Sequence, residues 1–400
     1  MKNRYMNMIA FTLSAALLFI GCAGTQTNSY AAVSIDSKEV SSQLSENSNS
    51  NTAETVKVQL NKTGIECSDE GVEITDSNAV IKKAGTYILS GTLDNGSIIV
   101  DAGKEDKVQL VLSGVKINSD SFAAIYVRQA DAVSLTLADG TENTLAGSGA
   151  FSQIDENDVD AVIFSKDDLT INGNGSLQIS SAAGNGISGK DEVTITEGAI
   201  EIEAANHAIR AKDALTITGG TFTLTAEKDG LHAENEDDES LGNIYITGGD
   251  FHIQAADDAI HANTLLQIDD GNFEITGAEG LEGTYIKINN GTMLINASDD
   301  GVNAAYKSSV YTPTFEINGG TLTIIMGSGD TDGVDSNSDL IINGGTIDIT
   351  GQSALDYDGA ATFNGGTIIV NGQTLDSISN QMMGRGMGGG KHGGMYGRGV

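Results

Sequence analysis

One phrase, repeated with variation along most of the chain, leaves few folds open. It reads "LTITGGTFTLTA" at 215–226, "IYITGGDFHIQA" at 244–255, "FEINGGTLTII" at 315–325, "LIINGGTIDIT" at 340–350 and "ATFNGGTIIV" at 361–370. Looser copies occupy 169–179, 193–204, 266–276 and 286–297. The glycine that closes each corner recurs at Gly198, Gly220, Gly249, Gly271, Gly291, Gly320, Gly345 and Gly366, roughly 20 to 30 residues apart. A period in that range marks an architecture whose units stack only on their neighbours.

Each unit has the same anatomy. Leu215 and Ile217 alternate with threonine, the period-2 signature of a half-buried strand. "TGG" makes a corner, Phe222, Leu224 and Ala226 line a second strand, "EKDG" turns again, and "LHA" is a short third strand. Three strands and three corners with no helical stretch predict one coil of an all-β, right-handed, single-stranded parallel β-helix. Leucine-rich repeats would need a fixed asparagine in a leucine frame, and propeller blades need about 40 residues or more. The alternating stretch 108–147 supplies N-terminal coils of the same kind.

Coils of such a solenoid lie about 4.8 Å apart, so equivalent residues form columns. Alignment on the short third strand places Asp160, Asn185, His207, Asp229, Asp258, Glu279, Asp300 and Asp332 in one column. Three residues on, a second column runs Ile163, Ser188, Arg210, His232, His261, Glu282, Asn303, Asp335 and Asp356. The residues between them (Ile187, Ile209, Leu231, Ile260, Leu281, Val302, Val334 and Leu355) are assigned to the core, which puts both polar columns on the outer surface. Stacked carboxylates repel by roughly 1 kcal/mol per pair in water-like surroundings and about 3 kcal/mol at an effective dielectric near 20. Ca²⁺, with its 6–8 oxygen ligands, relieves that repulsion. The candidate ligands are Asp229, Asp257, Asp258, Glu279, Glu282, Asp299, Asp300, Asp330, Asp332, Asp335 and Asp356. His232 and His261 share a column, but with no cysteine and no third aligned histidine they read as a stacked surface ladder rather than a zinc site.

The charge balance and the ends of the chain set its surroundings. A net charge of -34 excludes nucleic-acid phosphate and anionic lipid surfaces as direct partners. Residues 1–22 read as a signal peptide: Lys2 and Arg4 precede an apolar run that ends at "FIGC". That ending resembles a bacterial lipobox, which implies a lipid on Cys22 and a place on the outer side of a bacterial membrane. Residues 23–55 are a Ser/Asn/Thr-rich linker, 56–380 the solenoid, and 381–400 a Gly/Met-rich tail expected to be disordered. Cys67, the other cysteine, has no partner once Cys22 is used.

The "INGGT" units, the "DGL", "DAI" and "DGV" corners, and the stretches "GTYILSGTLDNGSIIVDA" (85–102) and "AIYVRQADAVSLTLADGTEN" (124–143) resemble the bacterial carbohydrate-binding domain proteins with a pectate-lyase-like β-helix. The likeness covers 56–380. It implies a right-handed parallel β-helix, calcium on the outer face, and binding of plant cell-wall polysaccharide, both pectic and cellulosic. Arg210, Lys228, His232, His261, Tyr306 and Lys307 are then the candidate sugar contacts. Two insertions, 234–242 and 305–313, leave from the corner after the acidic strand and are placed to wall a groove; the second carries Tyr306, Lys307 and Tyr311.

Two other functions compete with binding. A pectate lyase needs calcium and a basic residue to take the proton α to a uronate carboxylate, a role open to Arg210, Lys228 or Lys307. A monomeric surface spacer or adhesin stapled by calcium is the third reading. "GDTDGVDSNSDL" (329–340) also resembles a polygalacturonase motif, but the order of motifs is reversed and their partner segments are missing.

Overall fold

The computed structural model describes residues 55–328 and 331–378. These form 36 strands in one continuous hydrogen-bonded network, with no helix among the described residues. Nearly all pairings are parallel and join a strand to its counterpart in the next coil. The antiparallel pairs lie near the two ends, at 59–66 and 72–81 and again at 368–375. The chain is a parallel β-solenoid.

Three columns of strands run along it. The pre-glycine column includes Glu192–Ile195, Ala214–Ile217 and Asn243–Ile246. The post-glycine column includes Ala199–Ala204, Thr221–Ala226, Asp250–Ala255 and Asn272–Gly277. The short-strand column includes Ile209–Ala211, Leu231–Ala233 and Val302–Ala304. Alternation does what the sequence pattern requires: inward Ile, Leu and Val fill the interior, and the eight residues assigned to the core between the polar columns are each at most 1% exposed.

Two stacks fix the corners. Phe222, Phe251 and Phe273 are in register and stack inside, with ring centroids 4.7 and 4.6 Å apart and planes within 4°. Gly249 takes φ 119° just before Phe251, and a Cβ there would sit 3.0 Å from that ring. Asn318 donates to Asn289, Asn343 to Asn318 and Asn364 to Asn343 at 2.7–2.8 Å, so the asparagine of the "INGG" phrase forms a ladder.

The register needs one correction to the columns read from sequence. Ile163 pairs with Ile187 in the core, and Phe164 stands opposite Ser188. Asp160 is displaced likewise, since Ala161 faces Asn185. The cause is the long segment 148–160, which breaks the corner spacing used for alignment.

Candidate functional site

The floor of the site is the short-strand column. From Ser188 the outward positions run Arg210, His232, His261, Glu282, Asn303, Asp335 and Asp356, each paired to the next. The corner before each strand carries the companion column. Backbone bonds Ala208 N to Asp229 O, Gly230 N to Asp258 O, Ala259 N to Glu279 O, Gly280 N to Asp300 O and Gly301 N to Asp332 O hold it in line. An elongated groove of about 590 Å³ lies over these columns, with Asp160 and Asn185 at one end and Glu279, Glu282 and Lys307 at the other.

The polar columns were expected on an open surface, but Asp229, His232, Asp258, His261 and Glu282 are at most 9% exposed. They bury one another by pairing. His232 Nδ1 lies 2.6 Å from Asp229 Oδ2, and His207 Nδ1 lies 3.2 Å from the same oxygen. His261 Nδ1 lies 2.9 Å from Asp258 Oδ2 and 2.6 Å from Glu282 Oε2, while its Nε2 is 2.9 Å from Asn263 Oδ1. Lys307 Nζ reaches Glu282 Oε1 at 2.6 Å. The imidazoles stack as a row of three, His207 on His232 at 4.2 Å and His232 on His261 at 4.9 Å. The third aligned histidine thought to be missing is therefore His207, one column over. Its signal was "NHAI" standing where the next coils have "KDGL" and "DDAI".

Proton affinities follow from these contacts. Burial would raise the Asp229 carboxyl, but hydrogen bonds from His207 and His232 hold it below the usual carboxylate range. Burial also disfavours charge on His261, yet Asp258 and Glu282 outweigh it and push the imidazole up to about 11. His261 thus stands as the counter-ion of Asp258 and Glu282. Glu282 is buried too, but His261 and Lys307 keep it at about 2. Among the described residues Glu279 has no such cation. Burial and repulsion from Glu282 and Asp258 push it up to about 9, and among those residues its oxygens accept only from Asn303 Nδ2, 3.0 Å from each.

The remaining candidates scatter around this centre. Asp257 and Lys228 are exposed on one rim, and no ion pair holds Lys228 among the described residues. Arg210 pairs with Asp160 at 3.5 Å. Asp299 is exposed, whereas Asp300, Asp332, Asp335 and Asp356 are half-buried farther along the columns. Asp300 and Asp335 are pushed up to about 7 and about 6, each chiefly by burial and then by neighbouring aspartates. Among the described residues, Asn303 Oδ1 and Asp356 Oδ1 are buried and make no hydrogen bond. Asp330 and Cys22 lie outside the described residues. Tyr306, 68% exposed, stands apart from the groove lining.

The two insertions meet. Glu239 O accepts from Thr264 Oγ1 and Ser308 Oγ at 2.8 Å, and the Glu239 carboxylate accepts from Ser309 N at 3.1 Å. Below them buried Thr284 donates to Asn263 O at 2.7 Å and accepts from Lys307 N at 3.1 Å and Ser308 N at 2.9 Å. Together the insertions make one wall, which presents Glu234 and Lys307 to the groove. Thr284→Val keeps shape but strands the Ser308 N–H, while Lys307 N keeps its second acceptor, Ala305 O at 2.9 Å. It should cost about 1–3 kcal/mol and raise amide exchange across 305–309 more than in the coils beneath. Equal exchange in both would show that the wall does not hang on this hydroxyl.

The fold and the groove together define a parallel β-solenoid with a polar, ion-paired trough on one face. The family profile described as "Carbohydrate-binding domain-containing protein" matches residues 75–330 and 277–377, and the chain belongs to that family. A protein of that description from Acetivibrio thermocellus is 39% identical over 137 residues, which is 34% of this chain and 48% of that one. The match thus spans about half the length of that relative. Among solved structures, the polysaccharide lyase-like protein from C. thermocellum, as a gadolinium derivative, is similar with 25% identity and a TM-score of 0.48. That match covers 80% of this chain and 96% of the other.

Proposed function

We propose that this chain is a calcium-assisted binding protein for acidic polysaccharide, pectic in type, carried outside the cell by a lipid on Cys22 and acting as a monomer. In this reading the solenoid winds as a right-handed, single-stranded β-helix. The observation that carries it is the axial groove, which in a member of this family offers acids, a lysine with no ion pair among the described residues, and a walled trough. A protein of net charge -34 repels a polyuronate unless cations stand between them.

The residues fit such a cation. Carboxylate oxygens of Asp258, Glu279 and Glu282 lie within 4.8 Å of one another. One coil on, Asn303 Oδ1 adds a buried oxygen that has no hydrogen-bond partner among the described residues. An all-oxygen set with excess negative charge suits a hard divalent ion. Glu279 is the acid of this set left without an ion pair among the described residues, whereas Asp229, outside it, is bonded by both His207 and His232. When bound, calcium would supply positive charge to a uronate carboxylate. Lys228 and Arg210 would orient the sugar chain along the trough.

Lyase chemistry is the weaker reading. Lys307 is held charged by Glu282 against its partial burial, and Arg210 is tied to Asp160, so both suit clamping better than proton removal. Immobilised polygalacturonate should retain the protein in calcium and lose most of it in chelator, with no growth of unsaturated-uronate absorbance. Absorbance that grows with time and with calcium makes the chain a lyase. Retention indifferent to chelator removes calcium from the account.

A further inference from the structure

We infer that the groove receives the end of a glycan chain and does not grip its interior. This rests on the reading of the groove as a glycan site and concerns how that site is closed. From Asn185 to Glu279 the groove crosses five successive coils, so its floor is about 19 Å long at the usual inter-strand spacing. The joined insertions rise along one side, which leaves the solenoid axis as the path for a linear polymer.

That path is blocked in one direction. Continued toward the N-terminus, the outward column changes from Arg210 and Ser188 to Phe164, Tyr126, Ile99 and Val80. These side chains seed a second apolar cluster, outside the solenoid interior, joined by Phe122, Phe151 and Val159. Tyr126 and Phe164 are 0% exposed although they point away from the main core. What covers them is the segment 148–160, the one that upset the sequence alignment.

Its seat is well bonded. Ser152 N donates to Ser121 O at 2.7 Å, and Val159 N to Gln153 Oε1 at 2.8 Å. Tyr126 O–H donates to Asp155 Oδ2 and accepts from Asn157 Nδ2, both at 2.6 Å. Gly184 lets Phe151 approach, since a Cβ there would lie 2.5 Å from the ring. A separate hollow lined by Arg128, Lys166 and the cap's own Asp155, Glu156 and Asn157 flanks the cap.

At the closed end stands Asp160, the last acid of the groove lining. One of its oxygens lies 3.5 Å from Arg210, and the other is buried with no hydrogen-bond partner among the described residues. A chain terminus brings a hydroxyl that an interior residue has spent on its glycosidic bond, and it needs no exit. In the opposite direction the column stays polar, through half-buried Asn303, Asp335 and Asp356. The polymer leaves on that side.

Oligogalacturonates of graded length, in calcium below the gelling range, test this with the full-length protein by sedimentation velocity. End recognition gives one protein per chain at every length, with affinity per chain unchanged once the groove is filled. If the number of copies per chain rises with length, the interior is bound and the inference is overturned while glycan binding stands. If no length binds, the proposed function fails and takes this inference with it.

Discussion

Phe251→Ala is expected to destabilise the solenoid by about 3–5 kcal/mol, among the largest losses available to a single side chain here. Phe251 is 4% exposed and is the middle ring of three. Removing it opens a void that Phe222 and Phe273 cannot close, because in-register pairing fixes each to its own coil. A solenoid's coils touch only their neighbours, so damage at an interior coil weakens two interfaces at once. Denaturant unfolding followed by backbone ellipticity should show a lower midpoint and a broader transition as the halves partly uncouple. Phe251→Leu, which keeps most of the volume, should cost under about 1.5 kcal/mol. A loss below about 1 kcal/mol for the alanine variant would mean that neighbouring coils slide to fill the gap, against the rigid stacking argued here.

How much of this could be read beforehand depends on what fixed spacing carries. The glycine corners and alternating strands define the coil, and the three-residue offset between acidic corner and short strand aligned His232, His261, Glu282, Asn303, Asp335 and Asp356 correctly. Alignment failed at Ile163 because thirteen residues, 148–160, replace a tight corner, and length alone does not say where a chain resumes its register. The pairing of acids with histidines was hidden for another reason. Whether Asp229 and Glu282 repel a neighbour or satisfy a histidine depends on the rotamers chosen across a gap of one coil, which periodicity does not encode. The asparagine ladder was in plain view in "INGG", yet nothing local distinguishes a stacked amide from an ordinary turn residue. The insertions were legible as walls, but the contact of Glu239 with Ser308 spans 69 residues and belongs to tertiary structure alone.

In chelator, the stability of this protein is expected to be greatest in mildly acidic solution and to fall as the pH rises toward 9. Glu279 carries the argument. In the folded chain it keeps its proton up to about pH 9, whereas an unperturbed glutamate releases it near 4.5. Between those values the folded state holds more protons than the unfolded one, so stability declines with rising pH, and the loss is complete above about 9. His261 acts in the same sense. Its stabilisation is full below 6.5 and is lost as the pH climbs through about 11. Glu282 sets the opposite limb, contributing above 4.5 and losing its contribution as the pH falls through about 2. A tenfold displacement of a proton equilibrium is worth about 1.4 kcal/mol. Solvent reaches part of the Glu279 carboxyl and weakens the repulsion it feels, so the Glu279→Gln variant should gain about 2 kcal/mol at pH 9 rather than the full displacement. That variant keeps shape and can still accept from Asn303, so the gain should vanish near pH 5, where Glu279 is already neutral. Calcium added to the unmodified chain at pH 9 should restore comparable stability, because it neutralises Glu279 with a cation where acid does so with a proton, and its increment should shrink in Glu279→Gln. Thermal unfolding at pH 5, 7 and 9, with calcium and with chelator, separates the cases. An alkaline limb of the same depth in both proteins would place the strain elsewhere among Asp258, Asp300 and Asp335, and a stability that rises toward pH 9 in chelator would remove the carboxylate repulsion on which the cation reading stands.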